Sequence, residues 1–271
     1  MAQVKSVLIT GCSDGGLGSA LAVELQKRGN RVFAGVRNPT KATALSSLPN
    51  VEVLTLDVTS ADSIGHAVET IQEQTGGRGL DILINNAGRG VPTTPLAEAD
   101  LDAGRRMFEV NFWGALSMAQ AFTPLLIRAQ GTIVNIGSVG GFMHTPYLGL
   151  YDSSKAAINM ASETMRLELK PLGINVITAM VGMVESKFHD NLDEPQLRDG
   201  SLYKAAEKSI TMSSTPGAGL LQQHEMSQEK FSANLVDDIL AGKSGKIWRG
   251  GLSTTSGILS WLLPSWLLVS A

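Results

Sequence analysis

Short apolar runs alternate with helix-length segments along most of this 271-residue chain, and that alternation constrains the fold more than any other feature. Val7-Leu8-Ile9, Val32-Phe33-Ala34, Val51-Glu52-Val53-Leu54, Ile82-Leu83-Ile84, Thr132-Ile133-Val134 and Asn175-Val176-Ile177 read as strands. Ser19–Arg28, Lys41–Ser47, Ser60–Gln74, Leu101–Arg128 and Ser153–Leu172 read as the helices between them. Ser60 is placed as an N-cap, and Gly29, Gly131 and Gly173 as C-terminal stops. The strands are apolar almost throughout, as expected of strands covered on both faces. Each crossover must lay a helix over the sheet, so the expected architecture is α/β, a doubly wound parallel sheet in a single domain.

No linker divides residues 1–271, but the pattern becomes irregular at about 185–227, where a loop-rich substrate segment is expected. The final stretch, 257–271, reads GILSWLLPSWLLVSA, and nothing after Arg249 is charged. A helix of that length would span roughly 20 Å, short of a hydrocarbon core of about 30 Å, and Pro264 interrupts it. It is not expected to cross a bilayer alone. Two readings stand: peripheral contact in a membrane interface, with Trp261 and Trp266 at headgroup level, or burial against protein. The 22 basic and 25 acidic residues give a net charge of -3 without basic clusters, so no nucleic acid partner is expected. Cys12 is the sole cysteine and no secretory signal pattern opens the chain, which points to a reducing, cytoplasmic setting. His66, His189 and His224 lack ligand spacing, so no metal is expected.

Thr10-Gly11-Cys12-Ser13-Asp14-Gly15-Gly16-Leu17-Gly18 joins the first strand to the first helix. Glycines there permit a tight turn and a close approach to a pyrophosphate, and the helix N-terminus favours the anion. A glycine cluster also serves ordinary turns. Its place between strand and helix selects the dinucleotide reading and a Rossmann-type sheet. The second strand ends at Gly35-Val36-Arg37. Where NAD-preferring proteins carry a carboxylate for the ribose 2′-hydroxyl, Val36 is neutral and Arg37 supplies a cation suited to a 2′-phosphate. NADP(H) is therefore expected over NAD(H); a solvated surface arginine is the plain alternative.

Further motifs follow in order. Asp57-Val58 comes after the third strand, Asn85-Asn86-Ala87-Gly88 after the fourth, and Asn111 lies in the long central helix. Ser138 comes after the fifth strand, and Tyr151-Asp152-Ser153-Ser154-Lys155 opens the next helix. Along nearly its whole length the sequence resembles the short-chain dehydrogenase/reductase family. The resemblance implies that Gly11, Ser13, Gly16, Leu17 and Gly18 hold the pyrophosphate, and that Asp57 bonds the adenine amino group with Val58 beside it. It implies that Asn86, Ala87 and Gly88 line the cofactor, and that Asn111, Ser138, Tyr151 and Lys155 form a catalytic tetrad. Tyr151 and Lys155 would also touch the cofactor. After the sixth strand the family has Pro-Gly-x-Val-x-Thr, whereas this chain reads Val181-Gly182-Met183-Val184-Glu185-Ser186. Val184 is kept, and Ser186 retains a hydroxyl for the nicotinamide carboxamide. The glycine turn is one residue longer than the family's. Assembly as a homo-oligomer is a further implication.

Reducing a carbonyl needs a hydride on carbon and a proton on oxygen. Tyrosine titrates near ~10; Lys155, four residues on and on the same helix face, would, with the charge of an oxidised nicotinamide, favour the tyrosinate and bring Tyr151 toward working pH. Ser138 would hold the substrate oxygen, and Asn111 a water linking Lys155 to solvent. His144 is a candidate substrate contact, and Cys12 a small packed residue rather than a nucleophile.

Val91, Pro92, Phe142, Met143, Leu148, Met183 and Phe188 suggest an apolar pocket, hence a small-molecule apolar ketone or alcohol as substrate. A closer resemblance, carried by Gly15-Gly16, Lys170-Pro171-Leu172, Trp248-Arg249-Gly250 and Leu263-Pro264-Ser265-Trp266-Leu267-Leu268, is to the 1-acyldihydroxyacetone-phosphate reductase branch. It implies a role in lipid metabolism and membrane or lipid-droplet association. That branch also includes ketoreductases of secondary metabolism acting on polyketide or terpenoid ketones. A redox-inactive cofactor-bound scaffold, or a flavin or S-adenosylmethionine enzyme, would use the same glycine turn; a complete tetrad argues against both.

Overall fold

A computed structural model describes residues 4–186, 197–214 and 224–262. Its centre is one parallel sheet of seven strands: β1 (Ser6–Thr10), β2 (Arg31–Val36), β3 (Val51–Thr55), β4 (Ile82–Asn85), β5 (Thr132–Ile136), β6 (Asn175–Val181) and β7 (Gly245–Arg249). Their spatial order is β3-β2-β1-β4-β5-β6-β7. The expected strands are all present. The seventh is not legible in the sequence because Lys246 points to solvent between Gly245 and Ile247, which breaks the apolar run at this sheet edge. The chain winds outward from β1 to β3, then returns to place β4 against β1, pairing Val7 with Ile82 and Ile9 with Ile84. The crevice beyond the carboxyl ends of β1 and β4 is where such sheets bind ligands.

Side chains alternate across the sheet, and both faces are buried. Val7, Ile9, Val32 and Ala34 pack against Leu21 and Leu25 of α1 (Leu17–Lys27) and Phe231, Leu235 and Ile239 of α8 (Gln228–Leu240). Leu8, Phe33, Leu83 and Ile133 face Ile64 and Ile71 of α3 (Ala61–Gln74) and Met118, Phe122 and Leu126 of α5 (Ala115–Ala129). Ser60 caps α3 as expected, its hydroxyl accepting from Ser63 N at 3.3 Å.

Three sequence expectations change. The helix expected over 101–128 is α4 (Leu101–Phe108), one π turn (Glu109–Gly114) and α5. The helix expected over 41–47 shrinks to α2 (Thr43–Ser46), because Pro39 and the Asn38 cap start a separate 3-10 turn at Pro39–Lys41. The left-handed stop of α5 falls on Gln130 (φ 49°), one residue before Gly131. The next helix, α6, runs Gly149–Leu169 and continues as a 3-10 turn to Leu172.

The irregular segment includes α7 (Glu207–Ser214); residues 187–196 and 215–223, with Phe188 and His189, lie outside the described residues. Of the tail, α9 (Ser253–Leu262) is described and residues 263–271 are not. The 101–129 run is long and apolar enough by composition to span a bilayer, but Met118, Phe122 and Leu126 spend their surface on the core.

Asp238 of α8, only 3% exposed, fastens the edge strand. Its oxygens meet Arg249 Nε and Nη2, both at 2.8 Å, and Lys243 Nζ at 2.7 Å. Asp238→Ala would leave Arg249 without its counter-charge and is expected to cost about 3–5 kcal/mol. Lys243→Ala, on a half-exposed side chain, should cost under about 1 kcal/mol. Urea unfolding of both variants checks this; equal midpoints would refute it.

Candidate active site

The floor of the crevice is built where β1 and β4 end. Thr10 Oγ1 accepts from the backbone N–H groups of Asn86 (3.0 Å) and Ala87 (2.9 Å). Asn86 Nδ2 donates back to the carbonyls of Thr10 (2.8 Å) and Gly11 (3.1 Å). Gly11 turns at φ 73°. At Gly18 a Cβ would stand 2.5 Å from Asn86 Nδ2 and 2.6 Å from Gly11 O, so only glycine lets α1 approach this closely. Gly16 is the N-cap of α1 and carries no side chain to cap it; the helix's first N–H groups, from Leu17 on, suit an anion. Ser13 is exposed on the same turn, and its carbonyl accepts from Gly16 N at 3.0 Å.

Arg37 is exposed just beyond β2, with Asp57 close enough to feel its charge. Burial works to raise the Asp57 carboxyl, but bonds from Thr59 N (2.9 Å) and Oγ1 (2.8 Å), with Arg37, hold it below the ordinary value. Asp57 is therefore an ionised acceptor at neutral pH. Val58 beside it is buried under the π turn.

The catalytic candidates come together on α6, β5 and the π turn. Ser138 leaves β5, and its Oγ accepts from Gly140 N at 3.0 Å and is hydrogen-bonded to the Tyr151 side chain. Lys155 is 6% exposed; its Nζ lies 5.9 Å from the Tyr151 ring centre and donates to Ile136 O at 2.9 Å. The loop carrying Ser138 lies directly on α6. A Cβ on Gly141 would come within 2.5 Å of Lys155 C and Asn159 Nδ2, and Asn159 Nδ2 donates to Ser138 O at 3.0 Å.

Burial dominates the electrostatics. It pushes Tyr151 up to about 12, against the Ser138 bond, with the Asp152 charge adding to the rise. It brings Lys155 down to about 8. Loss of solvent thus outweighs an ammonium that is bonded elsewhere, opposite in direction to the lowering expected from Lys155 and an oxidised nicotinamide acting together. Asn111 is tied down on both sides. Its Oδ1 accepts from Arg89 N (2.8 Å), while Nδ2 donates to Arg89 O (2.9 Å) and Ser154 Oγ (3.0 Å). The side chain is a staple between the β4 exit and α6. Gly88 lies between this staple and Lys155: a Cβ there would be 3.7 Å from Asn111 Oδ1 and 4.0 Å from Lys155 Nζ.

Val184 and Ser186 follow β6 on a stretch zipped to both neighbours. Met183 exchanges backbone bonds with Gly251 (3.0 and 2.8 Å), and Glu185 N donates to Met226 O at 3.1 Å. Phe142 and Met143 are exposed, and Phe142 meets Trp248 edge-on at 6.5 Å. Val91, Pro92 and Leu148 line one small crevice. His144 is exposed and acts on Asp152 through its charge. Cys12 is fully buried, its thiol pushed up by burial and donating to Ile9 O at 3.3 Å, as a packed residue would be.

Sequence reasoning misses two groups here. Asp152 is nearly buried beside Tyr151, pushed up to about 6 by burial, with Thr145 and His144 drawing it back; its Oδ2 accepts from Thr145 N at 3.3 Å. Its place inside the Tyr-x-x-x-Lys spacing is the available signal. Asp14 is the other, marked only by the extra length of the glycine turn.

Comparison with known proteins bears on the family and the fold. The family model described as short chain dehydrogenase matches residues 5–197. The short-chain dehydrogenase ptmH of Penicillium ochrochloron is 45% identical over 264 residues, covering 97% of this chain and 94% of that protein. The NADPH-dependent 1-acyldihydroxyacetone phosphate reductase of Schizosaccharomyces pombe is 36% identical, covering 80% of this chain and 73% of that protein. A short chain dehydrogenase from Burkholderia cenocepacia, solved in complex with NADP, superposes with a TM-score of 0.77 at 25% identity and covers 99% of each chain.

Proposed function

The chain belongs to the short-chain dehydrogenase family and is an NADP-dependent oxidoreductase, and we propose that it reduces a bulky, apolar ketone to the secondary alcohol. The observation that carries this reading is the Ser138–Tyr151 hydrogen bond, with Lys155 under the tyrosine ring at the mouth of the crevice.

The proposed roles rest on the family resemblance, and the geometry supports them. NADP(H), when bound, supplies the hydride. Gly11, Ser13, Gly16, Leu17 and Gly18 would receive its pyrophosphate at the start of α1, where the N-cap Gly16 carries no side chain, Arg37 would take the 2′-phosphate, and Asp57 with Val58 the adenine. Asn86, Ala87 and Gly88 form the crevice floor. Val184 and Ser186 flank the nicotinamide, with the Ser186 hydroxyl for its carboxamide. Ser138 holds the ketone oxygen, and Tyr151 delivers its phenolic proton to that oxygen as the C–H bond forms on carbon. Lys155 stabilises the phenolate left behind and touches the cofactor ribose together with Tyr151. Asn111 positions Lys155 through Ser154, whose hydroxyl donates to Tyr151 O at 2.7 Å.

The exposed Phe142 and Met143 lie on the loop between Ser138 and Tyr151 and favour an apolar substrate. An acyl dihydroxyacetone phosphate and a secondary-metabolite ketone both meet that description. The test is NADPH oxidation, followed at 340 nm, against a panel of both kinds with small polar ketones as controls. Preference for the small polar ketones would overturn the substrate reading, and no oxidation with any would favour a redox-inactive scaffold.

A further inference from the structure

The 2′-phosphate and the pyrophosphate hang on one ribose. Their receptors, the segment Arg37–Lys41 and the glycine turn, must therefore stand within the short reach of that sugar. The turn is longer than usual, and a longer turn has more freedom to drift. Its extra length is held on both flanks. Gly15 O accepts from Gln228 Nε2 of α8 at 2.9 Å. Asp14 grips the other side twice. Its backbone N–H donates to Lys41 O at 2.7 Å. Its carboxylate accepts from Thr43 N (2.9 Å), Thr43 Oγ1 (2.8 Å) and Ala44 N (3.3 Å).

These contacts serve two purposes. They tie residue 14 to a segment about thirty positions away, immediately behind the two cations Arg37 and Lys41. They also satisfy the carboxylate with three donors, so that it stays bonded to this segment.

We propose that Asp14 is a positioning residue for cofactor choice, favouring NADP(H) over NAD(H) by holding Arg37–Lys41 against the glycine turn. The proposal rests on Arg37 as the 2′-phosphate receptor. NADH lacks that phosphate and needs only the turn, so loss of the pin should penalise NADPH selectively. The Asp14 carboxylate sits at an exposed cap, and its removal should leave the fold intact, as loss of a single exposed cap does.

The experiment is a fluorescence titration of NADPH and NADH into the full chain and its Asp14→Ala, Thr43→Val, Arg37→Ala and Asp14→Ala/Arg37→Ala variants, with thermal melts confirming the fold. Asp14→Ala is expected to weaken NADPH roughly tenfold, about the worth of one charge-assisted bond, and NADH less than about twofold. Thr43→Val, which removes one donor and no charge, should move NADPH in the same direction by less. The double variant should bind NADPH no worse than Arg37→Ala alone, because the pin acts through that arginine. Equal loss of both cofactors in Asp14→Ala, or additive losses in the double variant, would overturn the proposal while leaving Arg37 as receptor. An Arg37→Ala variant that still discriminates like the parent would overturn the receptor assignment, and the pin with it.

Discussion

Tyr151→Phe is expected to lower kcat/KM for ketone reduction by about a thousandfold, the worth of a well-placed general acid, while NADPH affinity falls less than about tenfold, the worth of one lost ribose contact. The substitution removes one oxygen from a largely buried ring and keeps its volume, so α6 has no cavity to collapse into. Ser138 still accepts from Gly140 N and can still receive a ketone oxygen. The ketone then meets the hydride without a proton donor, and the alkoxide has to be quenched by water. Steady-state kinetics paired with a fluorescence titration of NADPH decides the matter. Activity within tenfold of the parent would remove Tyr151 from its role.

Lys155→Met should be as damaging to activity yet raise stability. A lysine whose folded pKa of about 8 lies below its ordinary 10.5 is carried as a burdened cation. That cost is present in full below pH 8, is relieved as pH rises toward 10.5, and amounts to about 3 kcal/mol. Methionine fills the site without charge, so the melting temperature at pH 7 should rise by several degrees while turnover is lost. Between pH 8 and 10 the parent should gain stability on this account and the variant should not. Activity runs the opposite way. Proton donation needs the protonated Tyr151–Lys155 pair, so kcat/KM for reduction should be full below about pH 8 and fall above it, the limb belonging to the pair. A variant that melts lower at pH 7, or a parent whose reduction is flat to pH 10, would contradict this account.

Where a single physical signal decides an element, the sequence is legible. Strands buried on both faces announce themselves as apolar runs, and the cofactor turn is marked by glycines that α1 and β4 could not approach otherwise. The Tyr151–Lys155 spacing survives because a helix fixes it. The failures have a different source. β7 is a half-exposed edge whose alternation is too short to stand out. The π turn leaves no mark in hydrophobic periodicity, although it bears Asn111. The hydrogen bonds of Asn111 are likewise unmarked because its partners, the Arg89 backbone and Ser154, are 22 and 43 residues away. The ionisation of Tyr151 escapes for a related reason: charge can be counted along a chain, but the loss of solvent cannot.

The packing of α8 on α1 has a consequence for how the molecule is made. Leu21 and Leu25 are covered by Phe231 and Leu235, and the bond from Gln228 to Gly15 spans 213 positions. At a synthesis rate of about 5–20 residues per second, the first helix waits roughly ten to forty seconds for its cover. During that time the nascent chain offers a greasy helix face and an unpinned phosphate turn to whatever is nearby. Messages cut short before residue 228 would never supply the cover, and their products would be natural clients of chaperones and proteases.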